Sequence, residues 1–261
     1  MSDITHTLTP GSIPLLISMP HVGTRIPPAI AAGMTPTALQ LDDTDWHIER
    51  LYDFARAMGA SILVPTYSRY VIDLNRPPDG SSLYPGQATT GLCPRTTFDG
   101  IALYRAGAEP DAAQTAQRLD AYWRPYHAAL QAELARLQAG HGRVFLWEAH
   151  SIRSHVPRLF DGELPVFNFG SVGGQSCDPA RAARLFALAR ATGRSAVLDG
   201  RFKGGYITRA YGRPQQGVQA IQLELAQRAY MEERLPYAYD ETAAAQTAMQ
   251  LEALVRAFIA D

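Results

Sequence analysis

His21 and His150 stand far apart in the chain, yet each follows a short apolar run. Pro14-Leu15-Leu16-Ile17-Ser18 leads into Pro20-His21-Val22-Gly23, and Val144-Phe145-Leu146-Trp147 leads into Glu148-Ala149-His150-Ser151. Two imidazoles delivered to the ends of strands are the beginnings of a metal site, since neutral imidazole nitrogen suits zinc-like ions. A third ligand is required, and Asp45, His47, Glu49 and Glu148 are the competing sources. Glu148 would share a strand face with His150, two residues on. Between these segments, Arg69-Tyr70-Val71-Ile72-Asp73-Leu74-Asn75-Arg76 delivers two guanidiniums and an amide on one short apolar run. Arginine offers a planar fork of donors that takes a carboxylate bidentately, so this run predicts an anion-binding clamp. A metal site beside a carboxylate clamp is the equipment of a hydrolase.

Glu224 closes the run Val218-Gln219-Ala220-Ile221-Gln222-Leu223, which makes it a partly buried carboxylate. Such a group needs a partner or a raised pKa. It reads either as an ion pair with a nearby arginine such as Arg228, or as a general base for metal-activated water. Phe202-Lys203-Gly204-Gly205-Tyr206-Ile207-Thr208-Arg209 sets a Gly-Gly pair before a Tyr and an Arg. That pattern serves a close backbone approach to a ligand or a plain turn. His127 and His141 read as surface or capping groups, His155 stays open, and Trp123, Trp147 and Phe258 read as core.

The elements that must position these groups alternate along the chain. Short strands are expected at 14–18, 61–64, 70–72, 144–147, 197–198, 206–207 and 218–224. A helix opens at Asp43-Thr44 and stops at Gly59. A long amphipathic helix carries Leu119, Trp123, Tyr126, Leu130, Leu134 and Leu137. Asp178-Pro179 caps a third helix, and Asp240 opens a C-terminal one. Residues 77–108 show no period and read as a long active-site loop. The pattern predicts one α/β domain over 1–261, three-layered, with a central mixed β-sheet flanked by helices. In such sheets ligands gather at the carboxyl ends of strands, where His21, His150 and Glu224 fall.

Composition removes several alternatives. Twenty-four Lys+Arg against 25 Asp+Glu give a net charge of -1 over 261 residues, without the basic excess of a nucleic-acid binder. Two cysteines, Cys93 and Cys177, make no disulfide framework, and a reducing cytoplasm is expected. The start, Met1-Ser2-Asp3-Ile4-Thr5-His6, has no signal-peptide character, and no apolar run approaches the ~20 residues of a membrane span. Oligomeric state leaves no trace in the sequence.

Read in order, Pro20-His21-Val22-Gly23, Asp45-Trp46-His47, Arg69 through Arg76, Ala149-His150-Ser151-Ile152-Arg153-Ser154, Phe202 through Arg209 and Gln222-Leu223-Glu224 resemble the N-formylglutamate amidohydrolase (deformylase) family. The resemblance runs over residues 10–260 and implies the zinc carboxypeptidase-like fold group shared with aspartoacylase and succinylglutamate desuccinylase. It implies one zinc ion on His21 and His150 with Asp45 as acidic third ligand. It further implies Arg69 polarising the scissile carbonyl, Asn75 and Arg76 gripping the α-carboxylate, and Glu224 as general base. Arg209 or Arg153, with Tyr206 nearby, would then take the side-chain carboxylate. The implied reaction cleaves N-formyl-L-glutamate to formate and L-glutamate, a step of histidine degradation. Thr24 stands where carboxypeptidase-like enzymes carry a ligand Glu, Glu148 where the family has Asp, and Ala210 where a His is common. The rival readings are a hydrolase of another N-acylated acidic amino acid or small peptide, and a metal-free dicarboxylate-binding module. Cobalt, manganese or iron would also suit the ligand set.

Overall fold

In the computed structural model the described residues are 4–83 and 86–260. Part of the N-terminal stretch read for a leader and two residues of the 77–108 loop therefore lie outside the described residues. Seven strands form one sheet: β1 (His6–Thr9), β2 (Leu15–Ser18), β3 (Ser61–Pro65), β4 (Val144–Ile152), β5 (Phe167–Gly170), β6 (Ala196–Leu198) and β7 (Val218–Ala226). Their order is β1-β3-β2-β4-β7-β5-β6. β3, β2, β4 and β7 run parallel, while β1 pairs antiparallel with β3 and β5 with β7. The expected mixed α/β sheet is present.

The helices are α1 (Pro28–Ala31), α2 (Ile48–Leu51), α3 (Phe54–Met58), α4 (Ala112–Arg118), α5 (Arg124–His141), α6 (Pro179–Ala191), α7 (Tyr206–Tyr211) and α8 (Glu241–Ile259). Strand alternation decides which of them covers which face. Leu15, Ile17, Phe145, Trp147 and Ile221 pack with Leu185 of α6 and Leu251 and Phe258 of α8. Leu16, Leu146 and Ala220 face the other way, onto Tyr126, Leu130 and Leu134 of α5. β4 is covered on both faces and paired on both edges, so all nine of its residues are buried. Two expected caps are in place: Asp178 accepts from the Ala180 and Arg181 amides, and Asp240 from those of Thr242 and Ala243.

Several expectations are corrected. Tyr70-Val71-Ile72 forms no strand. The chain turns there, the Asp73 amide donates to the Leu92 carbonyl, and the apolar side chains are buried from a loop. Tyr206-Ile207 begins α7 instead of a strand, because the Ile207 amide donates to Asn75 Oδ1 at 2.8 Å and starts a helical turn. The helix expected up to Gly59 is two short helices, α2 and α3, ending with Gly59 in the left-handed conformation. β1 and β5 escaped notice, being four residues each and, in β1, alternately exposed. β4 runs on through His150, so that residue lies within a strand and not after it, and β7 continues two residues past Glu224.

Candidate active site

Beyond the end of β2, the Met19 amide still donates to the Leu63 carbonyl, which steers the following turn and His21 over the sheet edge. The Asp45 amide donates to the His21 carbonyl at 3.1 Å, tying the segment before α2 to the same place. His150 arrives from β4. One potential ligand atom from each of His21, Asp45 and His150 lies within 4.8 Å of the others, and all three residues are buried. Asp45 Oδ2 is 3.0 Å from His150 Nδ1 and 3.8 Å from His21 Nδ1. The three groups converge.

The remaining ring nitrogens are held from behind. His21 Nε2 is 2.7 Å from Asp73 Oδ1, whose other oxygen accepts from Arg69 Nη2 at 2.6 Å. His150 Nε2 is 3.0 Å from Asn75 Nδ2 and 3.5 Å from Glu148 Oε1, which also accepts from Ser18 Oγ at 3.1 Å. A carboxylate behind each imidazole is the usual setting of metal-ligating histidine, because it fixes the tautomer and ring orientation. Glu148 stands behind His150, and the other two competing ligands are engaged elsewhere. His47 Nε2 meets the Tyr237 carbonyl at 2.7 Å, and Glu49 pairs at the surface with Arg56.

Electrostatics follow from burial among carboxylates. Burial, aided by Arg69, lowers His21 to about 4 despite Asp73. Burial would lower His150 too, but hydrogen bonds to Asp45 and Glu148 overcome it and raise the ring to about 10. Burial would raise Asp73, yet Arg69 and His21 hold it well below the usual carboxylate range. The carboxylates that favour a proton on His150 equally favour a cation placed among the two imidazoles and Asp45. Two nitrogens, one carboxylate oxygen and fixed second nitrogens fit a zinc-like ion.

Glu224 is paired in register with His150 across the β4–β7 ladder. Burial raises its carboxyl to about 8 although His150 pulls it down. The alternative ion pair with Arg228 is not formed, because Arg228 binds Glu163 at 2.9 Å. A small cavity of about 60 Å³ is lined by His21, Arg69, Asn75, Arg76, His150 and Glu224, together with Thr90, Phe98, Arg201 and Gln222. A broader groove of about 710 Å³ beside His47 and Arg50 holds none of the converging ligands. Chemistry, not size, selects the smaller one.

Of the other residues singled out from sequence, Arg69 and Arg76 border the cavity. Arg69 Nε is buried with no hydrogen-bond partner among the described residues. Arg76 is braced by the Thr90 carbonyl at 2.9 Å, Thr90 Oγ1 at 2.9 Å and the Asn75 carbonyl at 3.0 Å. Asn75 is turned toward His150 and the Ile207 amide. Three residues are placed elsewhere. Arg153 pairs with Asp99 at 2.6 Å, Arg209 lines a separate cleft with Gln175 and Arg213, and the Tyr206 ring packs near Trp123 and His127. His127 is a core histidine and not a surface one, set between the Leu74 carbonyl and Tyr211 hydroxyl. Its spacing from Trp123, Leu130 and Leu134 carried that signal. Arg201 gave no spacing signal, while Gln222, in the motif with Glu224, and Asp73, in the arginine-rich run, stood without an assigned role.

The N-formylglutamate amidohydrolase family model matches residues 13–231. The chain belongs to this family. A relative from Pseudomonas aeruginosa, named N-formylglutamate deformylase, is 57% identical over 251 residues, covering 96% of this chain and 94% of that one. One of the same name from Pseudomonas putida is 53% identical over the same shares. A crystal structure of N-formylglutamate amidohydrolase from Ralstonia eutropha superposes with a TM-score of 0.82 at 23% identity, covering 97% of this chain and 96% of that chain, and shares the fold. Membership makes the chain an amidohydrolase. Among the described residues no helix is long and apolar enough to cross a membrane.

Proposed function

We propose that this protein hydrolyses N-formyl-L-glutamate to formate and L-glutamate, with one zinc ion held by His21, Asp45 and His150. The observation that carries the chemistry is Glu224: a buried carboxylate facing His150 across the ladder and opening onto the same cavity. The activity named for the 57% and 53% identical relatives supplies the substrate.

A divalent metal bound there supplies a Lewis acid for the formyl oxygen and acidifies the attacking water. The rest is done by side chains. Glu224 takes the proton from that water at its carboxylate oxygen, and the oxygen adds to the formyl carbon. Arg69, fixed through Asp73, turns its remaining N–H donors toward the oxygen that gains charge, a contribution of ~3 kcal/mol for a well-placed donor. Glu224 then passes the proton to the amide nitrogen, and the C–N bond breaks to formate and the amine. Asn75 and Asp73 keep His150 and His21 in orientation. Arg76, braced on the 77–108 loop, takes the α-carboxylate. The loop segment at Thr90 and the Phe98 ring form part of the cavity wall.

The His–Asp–His group disfavours a metal-free binding module. The test is glutamate release from N-formyl-L-glutamate by metal-stripped protein before and after zinc is restored. Activity that disappears and returns supports the proposal, whereas a folded, zinc-loaded protein without turnover overturns it.

A further inference from the structure

N-Formylglutamate carries two carboxylates, and Arg76 accounts for one. Arg209 and Arg153, the sequence candidates for the other, sit at a separate cleft and on Asp99. Arg201 is the remaining guanidinium on the cavity wall. It lies between β6 and α7 and is held rigidly: Nε donates to the Leu159 carbonyl at 2.6 Å and Nη2 to the Ala88 carbonyl at 2.9 Å. Its guanidinium carbon lies 5.5 Å from the Phe202 ring centre.

Arg76 and Arg201 are hung from the same loop. Arg76 takes the Thr90 carbonyl and hydroxyl, and Arg201 takes the Ala88 carbonyl, two residues away. The α-carbons of those loop residues can be at most ~7 Å apart. The two guanidiniums are thus anchored on loop residues two apart and border the same cavity. Arg76 belongs to the reacting end, since Asn75 beside it touches His150 and Arg76 itself acts on the charge of Glu224. Around Arg201 the wall is apolar, with Ile152, Leu159 and Phe202, a surface suited to two methylenes.

Resting on the amidohydrolase reading above, we infer that Arg201 is the specificity-determining residue that binds the substrate's side-chain carboxylate. A neutral side chain cannot return that charge-assisted contact, which is why the acidic residue is selected.

Calorimetric titration of the zinc-loaded protein with glutarate and with butyrate tests this without turnover. The unmodified protein is expected to prefer glutarate by about 100-fold, the scale of a charge-assisted bidentate pair. Arg201→Met should erase that preference while butyrate still binds. Arg201→Lys, which keeps charge but loses the fork, should fall between, and it serves if the Met variant does not fold. In turnover, KM for N-formyl-L-glutamate should rise and the preference over N-formyl-L-glutamine collapse in both variants. Undiminished glutarate preference in either variant, or equal losses on both substrates, overturns the assignment. Absent turnover with an Arg201-dependent glutarate preference would overturn only the reaction.

Discussion

His150 and Glu224 are directly opposed across the two central strands, β4 and β7, at the same rung of the ladder. One residue is a member of the proposed metal group and the other is the proposed base, so their separation is set by the backbone pairing of two central strands and not by flexible loops. A one-residue slip of β7 would turn Glu224 to the opposite face of the sheet.

Glu224→Gln keeps the size and the burial of the side chain but removes the proton acceptor. Turnover is expected to fall about 10²–10⁴-fold, the usual span for a general base, with metal content and KM near those of the unmodified enzyme. Steady-state kinetics together with metal analysis check it, and retained turnover would remove Glu224 from the role.

The same substitution has a pH signature in the metal-stripped protein. Burial raises the Glu224 carboxyl from 4.5 to about 8. Between these values the folded state holds a proton that the unfolded chain has released, so this group's contribution makes stability decline as pH rises through the window. Glu224→Gln should flatten that decline and be relatively more stable above pH 8 than below pH 4.5. Denaturant unfolding across pH, variant against unmodified protein, reads the difference, and parallel curves would contradict it.

Asp73 braces His21 and Arg69 with its two oxygens. Asp73→Asn should weaken zinc binding about 10–100-fold, the usual loss when the partner behind a ligating histidine is changed. Competition with a chelator measures this directly. An unchanged affinity would mean that His21 is not a ligand or needs no orientation.

Gly205 is packed face-on against the side-chain amide of Asn75, and an added methyl group would overlap it. Gly205→Ala is therefore expected to displace Asn75 from both His150 and the Ile207 amide, lowering kcat/KM well beyond its effect on stability. Comparing the kinetic loss with the melting temperature separates the two; a loss of stability alone would deny Asn75 its positioning role.

Phe258 is fully buried, edge-on to Phe145 and Trp147, and lies on the face of the sheet covered by α8. Truncation to Ala should cost about 3–5 kcal/mol in equilibrium unfolding. A cost below 1 kcal/mol would show that α8 contributes little to the core.

The sequence by itself determined the alternation of strands and helices, the caps at Asp178 and Asp240, and the local groups that could do chemistry: His21, Asp45, His150, Glu224 and the arginine-rich run. These are local quantities, since periodicity, capping and strand-end placement depend on neighbours a few residues away. Only the tertiary structure decided which of those groups meet. Asp45 is drawn to the two histidines by its backbone bond to His21, while His47 and Glu49, close by in sequence, are turned to other partners. Val71 and Ile72 looked like strand residues because they are apolar, but burial from a loop satisfied them equally well. Arg201 was invisible for the opposite reason. Its position on the cavity wall is fixed by the carbonyls of Leu159 and Ala88, contacts 42 and 113 residues away in the chain, and no spacing rule reaches that far.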